Sequence, residues 1–540
     1  MKDISSTGSF INFYLNNYIY VDKTKYIRDL IKLERVFISR PRRFGKSLTL
    51  DTIATLFETG VEPYFKGTWI YDKWTEPTYP VLRLNFLDLD KYSLEHFKQK
   101  LNAIISSFAR DINVKNYEEK VEPEDTIYFL LDELRKEKRQ IVILIDEYDC
   151  QMTANINNET LYKQFQEKIT SFYATIKNKW PIKFLGISGV TRLKDVEIFS
   201  IGSDIRDITN ASAYSQMIGF TRDEIKKYYI DYLKLAASYE NNCTVDNVTE
   251  AQIESLLDRL AKNYDGYCFD EFYKKKVFST WSVNKFFQSV VSNKFVYFGE
   301  YWYDNGGLPS ILVNYLKTHE LNIFEYLDKD KFLKVSSDDF KNPTALTTIN
   351  QNVLMCQTGY LTLRSDLNKT STVALGIPNG EIYKALNRLL ANNIFKGNTD
   401  ITDDYGRSLL EVGTVDDIIN LFNSALNSVS YDNYPIVSES SVQNMLKLYL
   451  LGAHQKVLSE VHEAKGRADL VVNTDNRRIV FEFKYAKNET EAKSKLLDAV
   501  EQIKTRDYGN IVPKKTELLR IAAVFNADPK VRAFTEYQEV

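Results

Sequence analysis

Eight residues, Arg40-Pro41-Arg42-Arg43-Phe44-Gly45-Lys46-Ser47, join the apolar run Val36–Ser39 to a stretch in which Leu50, Ile53, Ala54 and Phe57 recur at helical spacing, with Gly60 as a stop. A strand running into Gly-Lys-Ser and then a helix is a phosphate cradle. Backbone N–H groups of the turn converge on one point, and the helix adds the positive end of its dipole. Lys46 is placed to reach the β- and γ-phosphates of a nucleoside triphosphate, and the Ser47 hydroxyl to ligate Mg²⁺. Arg40 stands where the common GxxxxGK[ST] pattern has its first glycine, which narrows the backbone conformations open to the loop entrance.

Three further apolar runs, Val81–Phe86, Ile141–Asp146 and Lys183–Ser188, read as buried strands. Ile141 to Ile145 shows no polar alternation, as a central parallel strand covered on both faces requires. Helical patterns lie between the runs, so an α/β domain with a mostly parallel sheet is expected. The third strand ends in Asp146-Glu147. Asp146 is the candidate to hold Mg²⁺ and Glu147 to polarise the attacking water. The fourth runs into Gly189-Val190-Thr191-Arg192, where Ser188, Thr191 or Arg192 is a candidate sensor of the γ-phosphate.

At 540 residues the chain exceeds a single core. Its net charge of -3 argues against coating nucleic acid by charge alone, though not against a local basic groove. Cys150, Cys243, Cys268 and Cys356 lie far apart without ligand spacing, which fits reduced thiols in a cytosol. With four histidines and no HExxH-like spacing, a histidine-based zinc enzyme is not expected. The Met1–Ser6 segment lacks a signal-peptide core and no apolar run reaches membrane-spanning length, so the expected location is cytoplasmic, with no membrane partner.

From about Thr221 to Ser430 the pattern is largely helical, with segments such as Arg222–Ala237 and Glu250–Tyr264. The turn-rich stretch Ser428–Pro435 marks a boundary. Three domains are expected: an ATPase core at 1–220, a helical extension and connector at 221–430, and a mixed β/α domain at 431–540. The last should run helix (Ser441–Leu451), strand (Ala468–Val472), strand (Arg478–Lys484), helix (Glu491–Lys504), strand (Leu518–Phe525). Glu482 and Lys484 project from one face of their strand, and a hairpin brings Asp469 beside them. Two carboxylates and a lysine on a sheet edge suit metal-dependent phosphodiester hydrolysis. Asp469 and Glu482 would ligate Mg²⁺, and Lys484 would orient or deprotonate the water or offset phosphate charge. Glu439 is a candidate further ligand, and Gln502 stands beside the apolar stripe of the last helix.

These segments resemble a known family. Tyr20-Val21-Asp22-Lys23-Thr24, the run Arg40 to Leu48, Tyr79-Pro80-Val81, Asp146-Glu147-Tyr148-Asp149, Gly189 to Arg192, and Tyr264-Asp265-Gly266-Tyr267 are similar to bacterial AAA-ATPase-like proteins. Gly466-Arg467-Ala468-Asp469, Glu482-Phe483-Lys484 and Gln502-Ile503 are similar to the PD-(D/E)XK nuclease domain those proteins carry at the C-terminus. That family's P-loop lacks the first glycine, which accounts for Arg40. The resemblance implies a P-loop ATPase with a helical extension, fused to a restriction-endonuclease-like domain, in a mobile-element or defence setting. It implies nucleotide contacts along Arg42, Arg43, Phe44, Gly45, Lys46, Ser47 and Leu48, with ATP and Mg²⁺ as cofactors. The partner expected is nucleic acid, DNA before RNA, and self-association is left open. Competing readings are an ATP-dependent switch or scaffold whose nuclease-like domain only binds, and an ATPase acting on protein partners.

Overall fold

A computed structural model describes residues 1–177, 179–192, 204–304, 310–316, 319, 323–343, 345–395, 405–453, 455–463, 466–509 and 517–540. The chain divides into two compact units, one of Met1–His319 with Phe332–Ile382, the other of Glu320–Lys331 with Tyr383–Val540.

The first unit is built on a parallel sheet of β1 (Arg35–Ser39), β2 (Val81–Asn85), β3 (Ile141–Asp146), β4 (Ile182–Gly189) and β5 (Arg206–Asp207), in the order β2-β3-β4-β1-β5. The side chains of β1 are buried throughout, as are those of Ile141 to Ile145 on β3, because helices cover the sheet. The helix after β1, Lys46–Thr59, buries Ile53, Ala54, Leu56 and Phe57. Since β3, β4 and β1 are neighbours, their C-terminal ends lie side by side and bring Asp146, Ser188 and the phosphate-loop residues to one edge. The two-residue β5 is too short to leave a pattern in the sequence.

The segment expected as one helix from Arg222 to Ala237 is two, Arg222–Tyr228 and Ile230–Asn241, joined at Tyr229. With Glu250–Tyr264 and Thr280–Asn293 they enclose a core that also takes in Ile19 and Val21. Thr221–Glu224 and Thr249–Gln252 form reciprocal capping boxes at two of these helix starts. The largely helical stretch also holds an antiparallel sheet of β6 (Leu333–Ser336), β7 (Thr362–Leu363) and β8 (Thr372–Gly376), ordered β6-β8-β7. Its strands are too short for alternation to stand out.

The second unit carries a mixed sheet of β9 (Lys456–Glu463), β10 (Gly466–Asn473), β11 (Arg477–Ala486), β12 (Glu517–Asn526) and β13 (Ala533–Glu539), ordered β13-β12-β11-β10-β9. The β11–β12 pair is parallel and the others antiparallel. The helix Glu489–Arg506 makes the crossover between the parallel strands, and its Ala499, Val500 and Ile503 pack with Ala468, Val480 and Ala522. The helix Glu439–Gly452 precedes β9. Edge strands β9 and β13 extend the pattern read from sequence. Among the described residues, no helix is long and apolar enough to cross a membrane.

Candidate functional site

At the phosphate loop Gly45 takes φ +101°, a left-handed conformation that a side chain would strain, and the helix begins at the next residue. Lys46 is buried, with Nζ donating to the carbonyl oxygens of Arg40 (3.1 Å) and Pro41 (3.3 Å) and lying 3.8 Å from Glu147 Oε1. Ser47 Oγ donates to Asp146 Oδ2 at 2.6 Å, and Ser188 Oγ donates to the other oxygen of the same carboxylate. Three elements thus meet on Asp146. Burial raises the pKa of the Glu147 carboxyl, against the pull of Lys46, so its carboxylate is more basic than a solvated one.

Arg42, Arg43, Phe44, Gly45, Lys46, Ser47, Leu48 and Glu147 line a cleft of ≈ 340 Å³. The Phe44 ring turns away into an aromatic nest of Tyr267, Phe269 and Trp302, at centroid distances of 4.7, 5.5 and 6.1 Å, so only its main chain can serve a ligand. The Arg43 guanidinium lies 4.4 Å over the Trp281 ring, and the Arg43 carbonyl accepts from Thr280 Oγ1 at 2.9 Å. The far wall includes Tyr20, Lys23, Phe220, Trp281 and Asn284, which reading the sequence missed. Nothing local in the Tyr20–Thr24 segment says that Tyr20 and Lys23 line one cleft with the phosphate loop.

The sensor candidates divide. Ser188 joins the site through Asp146. Thr191 is buried, with its amide donating to Asp149 Oδ2 at 2.7 Å and its hydroxyl to the same oxygen, and it does not line the cleft. Arg192 is paired with Asp207. Asp149 is the residue that sequence reading missed there, and Tyr148 OH adds a 3.1 Å bond to the Thr191 carbonyl.

In the second unit, Asp469 Oδ2 accepts from the Phe483 amide at 2.8 Å, one residue past the pair Leu470–Phe481, so the hairpin brings Asp469 beside Glu482 as expected. Lys484 Nζ donates to Glu482 Oε1 at 2.8 Å and lies 3.5 Å from Glu439 Oε1, which places the head of the helix Glu439–Gly452 at the site. Burial raises the Asp469 pKa to about 6, and burial with the nearby Asp469 charge raises that of Glu482 to about 7. Burial alone would lower the Lys484 pKa, but Glu482, Glu439 and Asp469 outweigh it and raise it. Gln502 Nε2 donates to Tyr508 OH at 3.3 Å, and Tyr508 OH to the Arg467 carbonyl at 2.8 Å. Gln502 is thus linked through Tyr508 to the strand that carries Asp469. Gln443, one helical turn beyond Glu439, donates to the Asp469 carbonyl, and that i,i+4 spacing was the signal available for it.

Among the described residues, no group of three or more His, Cys, Asp or Glu side chains is gathered tightly enough to form a metal cage. The carboxylates nevertheless suit a hard divalent cation. Glu482 Oε2 is buried without a hydrogen-bond partner, beside a second carboxylate that raises its proton affinity. At the phosphate loop, Asp146 and the Ser47 hydroxyl offer oxygen donors of the same kind.

The parallel sheet with its glycine-lysine-serine turn and the acidic end of β3 defines a P-loop ATPase fold, with a helical extension. The mixed sheet with crossover helix in the second unit is a restriction-endonuclease-like β/α fold. Residues 5–199 match the family model of a predicted AAA-ATPase, and residues 437–534 match that of the PD-(D/E)XK nuclease superfamily. The chain thus carries an AAA-ATPase-like domain at 5–199 and a PD-(D/E)XK nuclease-superfamily domain at 437–534. A curated relative, an uncharacterized protein in the vnfD 5' region of Azotobacter chroococcum mcd 1, is 26% identical over 533 residues, covering 95% of this chain and 94% of its own. A crystal structure of Cdc6p from Pyrobaculum aerophilum aligns at 12% identity over 68% of this chain and 92% of that one, with a TM-score of 0.22, too low for a common architecture to be read from it.

Proposed function

We propose that this chain binds and hydrolyses ATP with magnesium at the phosphate loop, and that its C-terminal domain cleaves nucleic-acid phosphodiesters, DNA before RNA. The observation that carries the reading is the presence, in one chain, of the Lys46–Ser47–Asp146–Glu147 and Asp469–Glu482–Lys484 constellations. At the first, main-chain amides of the loop bind the phosphates and Lys46 supplies positive charge. Ser47 and Asp146 hold the cation, and Glu147 takes a proton from the attacking water. At the second, Asp469 and Glu482 hold the cation, while Lys484 Nζ orients the water or steadies the charge that develops on the phosphate. A divalent cation bound at either place supplies Lewis acidity toward phosphate oxygens. The division into 1–220, 221–430 and 431–540 and a cytoplasmic location belong to the same proposal.

The test is cleavage of plasmid and single-stranded substrates by the full chain with Mg²⁺, with and without ATP, beside a variant lacking Asp469, Glu482 and Lys484. Cleavage by wild type alone supports the reading. Equal cleavage by both means a contaminant, and binding without cleavage by either moves the assignment to a silent nucleic-acid clamp.

A further inference from the structure

A small cavity of ≈ 40 Å³ lies behind the phosphate loop, lined by Arg40, Arg192, Cys268, Phe269, Cys356 and Gln357 among others. Arg40 is 1% exposed. Its Nη1 donates to the carbonyl oxygens of Ser39 (2.9 Å) and Thr209 (2.5 Å), and its guanidinium lies 4.1 Å over the Phe269 ring. The opposite edge, Nε and Nη2, is buried without a hydrogen-bond partner among the described residues. That edge is the one with which a guanidinium grips an anion bidentately.

The counter-charge is shared. Among the described residues, the carboxylate that acts on Arg40 is Asp207, which it shares with Arg192. The two thiols add none, because burial raises their pKa values to about 11 for Cys268 and about 12 for Cys356. Burial lowers that of Arg40 to about 9, which still leaves it charged at neutral pH. Water in the cavity would satisfy the donors but bring no counter-charge to a guanidinium held in a low-dielectric interior, where an anion gains most. A volume of this size admits one halide or a few waters and excludes a nucleotide.

We propose that the Nε/Nη2 edge of Arg40 is a binding site for a small monovalent anion of chloride size, which completes the buried charge behind the phosphate loop. The site is independent of what the cleft binds. The test uses the full chain at constant ionic strength, with sodium gluconate replaced stepwise by chloride or bromide. A saturable rise in Tm of roughly 2 °C or more is expected, the scale on which a bound ligand shifts a domain of this size, and Arg40→Met should lose it. Should Arg40→Met fail to fold, wild-type crystals soaked in bromide decide. An anomalous peak within hydrogen-bonding reach of Nε and Nη2 supports the site. Equal Tm in halide and gluconate, or density there without anomalous signal, overturns it in favour of water.

Discussion

Ser47 Oγ donates a 2.6 Å hydrogen bond to Asp146 Oδ2, tying the first turn of the helix after β1 to the end of β3. Ser188 of β4 holds the other oxygen, so the carboxylate is oriented from both sides. A group fixed in this way loses little further freedom when it takes on a cation.

Lys46→Ala should weaken ATP binding about tenfold or more, since a charge-assisted bond contributes roughly 1.5–3 kcal/mol. Isothermal titration is the measurement. Unchanged affinity in the variant would remove the phosphate-loop assignment.

Glu147→Gln keeps the shape of the side chain, including its place at φ +52°, and removes the carboxylate. Hydrolysis should fall by roughly a hundredfold or more while ATP binding survives. Phosphate release near the wild-type rate would mean that another group positions the water.

Asp469→Ala, Glu482→Ala and Lys484→Ala should each abolish Mg²⁺-dependent cleavage and leave ATPase turnover largely intact. Because the three serve one step, the triple variant should be no worse than the singles. Additive losses would show that they act separately.

Asp469 and Glu482 have folded-state pKa values of about 6 and about 7, above their usual range near 4. Between those limits the folded chain holds more protons than the unfolded one. Stability from this pair is therefore full below about pH 4 and is lost as pH rises through 6 to 7. In chelator, Tm should decline over that window, and Mg²⁺ should raise it more at pH 8 than at pH 5. Thermal melts of wild type and Glu482→Gln check this, the variant showing the shallower decline.

Gly189→Ala tests the loop after β4. An added Cβ would stand 2.7 Å from Tyr148 Cε1 and 2.8 Å from Asp149 Oδ1, a clash with the residues that hold Thr191. A loss of about 1–3 kcal/mol is expected from overpacking, read as a lower denaturation midpoint.

The interior strands were legible because burial on both faces leaves unbroken apolar runs, as in Ile141 to Ile145. The edge strands β9 and β13 were not, since Lys456–Glu463 and Ala533–Glu539 carry charged and polar residues suited to an unpaired rim. Asp469, Glu482 and Lys484 were legible because a hairpin and a two-residue period suffice to bring them together. The far wall of the cleft was not, because Tyr20 and Trp281 reach the loop only through tertiary folding. The bond from Thr191 to the buried Asp149 was not legible for a similar reason, since Asp149 lies on a different strand-to-helix turn.

The ammonium of Lys46 finds acceptors inside its own loop, in the carbonyl oxygens of Arg40 and Pro41. A triphosphate entering the loop therefore exchanges partners at Lys46, and what it gains there is the difference between phosphate and carbonyl as acceptor. The loop is a latch that carries its own catch. Departing phosphate leaves no stranded charge behind it, because the same two carbonyls take the ammonium back. Such a device trades tightness of grip for ease of exchange.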